Sequence, residues 1–137
     1  MIPAKDDFEG WVGDTVRRKV ALTTNSPDWT GVPNDPAAPQ VPLDITGTII
    51  TAQARVTKRD PSVLAEFRCR VIDGPGGIVE QYLPASVAAT IPEGKYPWDM
   101  QITWPVLAGE DEPDVNTYLA GTWTLTWDVT RAAVTTP

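Results

Sequence analysis

Fourteen prolines and ten glycines are spread through 137 residues, and they cut the chain into short pieces. Proline removes a backbone donor and ends helices, and glycine marks turns, so a long helix has almost nowhere to form. Apart from the turn around Val87-Ala88-Ala89, no stretch sustains apolar residues at i, i+3, i+4 and i+7 between caps. Alternation of apolar and polar residues with period two is much clearer, and that is the mark of half-buried strands. Punctuation and period together predict an all-β chain.

The first strand is expected from about Thr15 to Thr23, with Val16, Val20 and Leu22 on one face and Arg17 and Lys19 towards solvent. The segment Thr24–Pro42 holds Pro27, Pro33, Pro36, Pro39 and Pro42, so it cannot be a central strand. At roughly nineteen residues it is longer than an ordinary connection, which usually marks a functional or partner-ordered loop. In Thr48–Thr57, Ile50, Ala52, Ala54 and Val56 alternate with polar residues. Ser62–Val71 reads two ways. Asp60-Pro61 followed by Leu64 and Phe67 suits a helix start, but alternation over Val63, Ala65, Phe67, Cys69 and Val71 favours a strand.

The turn run Asp73-Gly-Pro-Gly-Gly77 leads into a short strand, Ile78 to Leu83, and Pro84–Ile91 has room for one or two helical turns. From Lys95 to Trp104, Tyr96, Trp98, Met100, Ile102 and Trp104 share one face. Val115–Leu119 suits a short strand. Gly121 then opens a last one, with Trp123, Leu125, Trp127 and Val129 inward. About seven short strands with turns between them are the pattern of one two-layer β-sandwich. A single domain over 1–137 follows, with its core at about 10–131 and loose termini at 1–9 and 132–137.

Composition narrows the function. There is no histidine and one cysteine, Cys69. The commonest general base and metal ligand is therefore missing, and zinc has almost nothing to coordinate with. No catalytic activity, cofactor or metal is expected. A lone cysteine makes no internal disulfide, which fits synthesis in a reducing cytoplasm. The start of the chain lacks the apolar run of a signal peptide, and nothing approaches the ~20 apolar residues of a membrane span. The net charge is −7. The only basic run is Arg17-Arg18-Lys19, whose side chains alternate between faces on a strand. Neither nucleic acid nor membrane is expected as a partner.

The order of these pieces resembles a known family, the small immunoglobulin-like sandwich of phage tail and baseplate proteins, including the N-terminal region of baseplate upper proteins. The likeness rests on Gly13-Asp14-Thr15, Leu43-Asp-Ile-Thr-Gly47, Ile49–Arg55 and Val63–Phe67. It continues in Leu83–Tyr96, Trp98–Gln101, Tyr118–Gly121 and Trp127–Arg131. The chain departs from the family in its longer proline-rich loop and its acidic insertion near Glu110. The resemblance implies a virion structural protein, assembled in the bacterial cytoplasm, that packs on other virion chains as a symmetric array. It brings no catalytic residues. A capsid decoration protein and a carbohydrate-binding module for host glycans are the alternatives.

Gly13-Asp14 and Asp44…Gly47 read as turn chemistry. Most tryptophans share strand faces with core residues, but Trp11 and Trp29 do not. Each suits an interface anchor, plain loop packing or a sugar platform. With Val32, Pro33, Pro36 and Pro39 of the long loop, they form the expected partner-binding set. Glu110, Asp111, Glu112 and Asp114 lack the Asp-x-Asp-x-Asp-Gly spacing of a calcium loop and read as a solvated hairpin tip. Adjacent acids on a loop also fail to supply the separated carboxylate pair of a glycosidase.

Overall fold

A period-two segment becomes a strand only where a neighbour pairs with it, and the computed structural model shows which segments find one. It describes residues 4–26, 28–31 and 38–127. The strands are β1 (Ala4–Lys5), β2 (Phe8–Trp11), β3 (Val16–Ala21), β4 (Thr23–Asn25) and β5 (Gln40–Pro42). They continue with β6 (Ile49–Ala54), β7 (Ala65–Asp73), β8 (Ile78–Leu83), β9 (Gly94–Thr103) and β10 (Val115–Thr126). One helical turn, α1 (Ala85–Ala88), joins β8 to β9. The protein is all-β.

One mixed sheet runs in the order β1-β10-β9-β6-β7-β8-β3, with β2 also on β10, and β4 pairs with β5 as a separate ribbon. Strand β7 belongs to two layers. Its first residues, Ala65 to Phe67, pair with β6, and those from Arg68 to Asp73 pair with β8. The sheet therefore curls over itself at β7, and β8 and β3 lie across the core from β9 and β10, as in a β-sandwich. Between the layers Trp98, Met100, Ile102, Trp123 and Leu125 meet Val20, Val79 and Leu83 in one buried cluster. Each such large apolar side chain contributes roughly 1.5–3 kcal/mol on burial. The Trp123 ring sits at the centre, 5.2 Å from Phe67, 6.0 Å from Phe8 and 6.2 Å from Tyr96.

Curling brings the two edges of the sheet together without backbone pairing. Arg18 of β3 forms an ion pair with Asp6, and its guanidinium lies 4.2 Å over the Phe8 ring of β2. Trp98 Nε1 donates to the Asp6 carbonyl at 2.8 Å. Side chains thus close the seam and shield edges that would otherwise invite another strand. One buried polar residue interrupts the core. Gln81 is fully buried on β8, and neither of its amide atoms has a hydrogen-bond partner among the described residues.

Several expectations are met. Ser62–Val71 resolves as strand from Ala65 onward, leaving Val63 exposed before it, and Pro84–Ile91 as one turn of helix. Tyr96, Trp98, Met100 and Ile102 are all buried. The turns behave as read. Gly13 and Gly47 have φ of 84° and 76°, and the Asp44 carboxylate accepts the Thr46 amide at 3.0 Å. Bonds from the Thr46 hydroxyl and amide hold that carboxyl below its usual range.

Four readings need correction. Residues 4–9, expected to be loose, are not: β1 and β2 pair in parallel with β10 along its outer edge. Thr24–Pro42 is not irregular throughout, because β4 and β5 pair at its base. Trp127 is about half exposed, for β10 ends at Thr126 and its neighbour β9 begins only at Gly94, opposite Leu125. Gly121 does not open a strand. It lies inside the continuous β10, where an added Cβ would fall 2.1 Å from the Asp6 carbonyl oxygen. Only glycine lets the N-terminal segment lie that close. Val129 and residues 132–137 fall outside the described residues.

Candidate interaction surfaces

The expected partner-binding residues are distributed over both ends of the sandwich. Trp11 closes β2 with its ring about half exposed, and its carbonyl accepts the Asp14 amide at 3.1 Å in the Gly13 turn. Trp29 lies at the opposite end, beyond the β4–β5 ribbon, and is half-buried. Its amide donates to the Ser26 carbonyl at 2.9 Å. A Cβ on Gly31 would lie 2.5 Å from the Trp29 indole, so the chain turns back tightly over that ring. Pro39 is exposed, and its carbonyl accepts the Ser26 amide at 2.8 Å, closing the loop above the ribbon. Val32, Pro33 and Pro36 lie outside the described residues. The structure does not bring Trp11 and Trp29 together.

A different apolar surface forms around the β9–β10 connection. Thr103 of β9 sits in register between Ile49 of β6 and Val115 of β10. Ile49, Val106, Leu107 and Val115 are each more than half exposed. Beside them Trp104 is held in place. Its amide donates to the Asp114 carbonyl and its Nε1 to Asn116 Oδ1, both at 2.9 Å, and its ring packs edge-on against Tyr118 at 6.2 Å. Trp104, Pro105, Leu107, Asp114, Asn116 and Tyr118 line a notch of about 360 Å³ there. Burial holds the Tyr118 phenol above its ordinary value, so it stays a neutral donor. Sequence reading assigned Trp104 to the core. The exposed rim shows only when β6 and β10 are seen to flank Thr103.

A second concavity, of about 450 Å³, crosses the outer face of β10, β9 and β6 and includes Lys5, Asp7, Gln53, Arg55, Lys58 and Asp99. Its charges are mixed. Lys5 pairs with Asp7 at 3.5 Å, and Arg55 donates to Gln53 Oε1 and the Asp60 carbonyl at 3.0 Å each. Burial raises the Asp99 carboxyl, and the Arg55 guanidinium pulls it part of the way back.

The third surface is electropositive. On the outside of β3, β8 and β7 the pairing Arg17↔Tyr82↔Arg68 forms one row and Lys19↔Glu80↔Arg70 the next. The sequence showed only that Arg17 and Lys19 share a face. Arg68 and Arg70, about fifty residues away, join them through sheet register, which no local pattern reports. Inward from β7, Cys69 is partly buried. Burial, with Glu66 adding to it, pushes its thiol up to about 11.

That shift gives a direct prediction. The thiolate is the reactive form, so alkylation of Cys69 near pH 8 should run on the order of a hundredfold slower in the native protein than in denaturant. Equal rates by mass spectrometry would show that β7 opens freely. The sign for stability follows: the unfolded chain ionises first, so stability is complete below its thiol pKa and falls as pH rises towards 11.

Comparison with known protein families gives no match, and no curated protein sequence matches the chain significantly.

Proposed function

We propose that this chain is a structural component of a bacteriophage particle, in the tail or its baseplate, where it packs on other virion chains in several symmetric copies. The observation that carries the packing role is the group of exposed apolar side chains at this end of the sheet, Val106 and Leu107 on the Trp104 notch and Ile49 and Val115 on the outer face beside Thr103. Clustered exposed apolar side chains of this kind mark surfaces that are covered in an assembly. Assignment to a phage particle rests on the resemblance of the segments from Gly13 to Arg131 to tail and baseplate sandwiches.

The test is a cryo-electron-microscopy map of particles that carry the chain. Density in the tail or baseplate, with the rim against another chain, supports the reading. Density on the capsid surface moves the role to decoration, and absence from particles overturns both. One observation favours a second reading, a carbohydrate-binding module. The notch sets the Trp104 and Tyr118 rings beside the polar side chains of Asp114 and Asn116, and sugars are bound by such mixtures of stacking and hydrogen bonding. Glycan binding that is lost on Trp104→Ala would favour it; a glycan array without signal would remove it.

A further inference from the structure

We propose that the outer face of β3, β8 and β7 is the docking site for the acidic β9–β10 loop of a second copy of this chain. The inference rests on the reading of the chain as a repeated subunit and names the surfaces through which copies meet.

The face is built for anions. Buried Val79, Gln81 and Leu83 turn Glu80 and Tyr82 of β8 outward, and register sets Arg17 and Arg68 beside Tyr82, and Lys19 and Arg70 beside Glu80. Arg17 lies 4.4 Å and Arg68 5.9 Å over the Tyr82 ring. Glu80 accepts from Arg17 at 3.2 Å and from Arg70 at 3.3 Å. Four cations therefore surround one carboxylate, and the two rows keep a net of three positive charges on a chain whose total is −7. Glu66, two residues before Arg68 on the same side, is met instead by Gln53 of β6 at 3.4 Å. Stacking on Tyr82 and the shared Glu80 restrain guanidinium planes in advance, so less side-chain entropy is lost when a carboxylate binds.

The occupant is on the same chain. Glu110, Asp111, Glu112 and Asp114 are all exposed on the β9–β10 loop, and none has an ion pair among the described residues. The loop is fixed at its base by the Trp104 to Asp114 bond and turned by the Glu110 amide on the Leu107 carbonyl at 3.0 Å. Loop and basic face belong to opposite layers, with β6 between β9 and β7 in the sheet, so they meet between copies and not within one. Two copies repel at long range through their net charge, but screening confines that repulsion to about a Debye length of roughly 8–10 Å. At contact the local complementarity decides. Because loop and face lie on opposite layers, one contact leaves each copy's other surface free, so the contact is head-to-tail and repeats around a ring or along a filament.

The experiment is sedimentation velocity of the whole chain at low salt of about 0.1 M, where the net repulsion is screened, and at high salt of about 1 M, with two charge-reversed double variants, Arg68→Glu with Arg70→Glu and Glu110→Lys with Glu112→Lys. Near-ultraviolet circular dichroism checks that each variant is folded. Wild type should associate at low salt and dissociate at high salt. Each variant alone should associate at least about tenfold more weakly, and an equimolar mixture of the two should recover association. A wild type that stays monomeric at low salt overturns the proposal, whatever other polyanion it retains. Association that survives both reversals overturns it too. Finding the chain in particles with its copies touching elsewhere defeats this docking and leaves the structural role intact. Absence from particles defeats that role, while the mixing result still decides whether loop and face dock.

Discussion

Trp123→Ala should lower stability by about 3–5 kcal/mol, the usual cost of emptying a large aromatic from a packed core. Native domains hold only about 5–15 kcal/mol in total, so this is a large share of the margin. The melting midpoint should fall on the order of 10–20 °C. Trp123 is fully buried, and its ring contacts Phe8, Phe67 and Tyr96, which come from β2, β7 and β9. A cavity there removes ring contacts with three strands at once, and the rigid sheets around it collapse poorly. Trp123→Phe is the informative companion. It keeps most of the ring area and deletes an indole N–H that has no acceptor among the described residues, so its cost should be clearly smaller. Thermal melts of both variants decide the matter. Equal losses would place the stabilisation wholly in the part of the indole that phenylalanine lacks, contrary to packing spread over the whole ring.

Gly77→Ala should cost about 2–4 kcal/mol, from strain at positive φ and from a collision with backbone. Gly77 has φ of 69°, and an added Cβ would stand 2.5 Å from the Leu22 carbonyl oxygen and 2.7 Å from that of Leu43. Those atoms cannot swing aside as a side chain would. The Leu22 amide donates to the Gly77 carbonyl at 2.8 Å, and the Leu43 amide donates to the Leu22 carbonyl at 3.0 Å. Three stretches of chain therefore cross at this point, and moving one moves the others. Gly109→Ala supplies the control. Its φ is 85° but nothing lies within 4 Å of the new Cβ, so only the conformational cost remains, about 1 kcal/mol. If urea titrations give both variants the same loss, the crossing at Gly77 is not holding the fold.

What the sequence disclosed and what it hid divide along one physical line. Alternation reports whether a residue has a wet side and a dry side, which is why β6, β8 and β9 were legible down to Tyr96, Trp98, Met100 and Ile102. It does not report where the neighbouring strand stops, and Trp127 was placed inside on a rhythm that continues beyond its support. Strands β1 and β2 were missed because Asp6-Asp7 divides them and the two residues of β1 are both exposed, leaving no alternation to read. Gly121 looked like punctuation but serves a close approach of two chains. The candidate surfaces were hidden more deeply. Arg17 and Arg68 become neighbours only through β8, and Ile49 and Val115 only through β9. Such pairings depend on sheet order, a property of the whole chain.

The parallel course of β1 and β2 along β10 also decides how the domain answers a pull. Ala4 stands opposite Leu119, partway along β10, and Thr126 closes its far end. Tension between the two ends therefore runs along the strands and slides one past the other. The bonds from Asp6 to Ala120 and from Val12 to Thr126, at 3.0 and 2.9 Å, and the ladder between them lie across that direction and share the load. They must yield together, whereas a hairpin pulled from its open end gives way one bond at a time. A pull applied at Ala4 and Thr126 thus meets the domain in its most resistant direction.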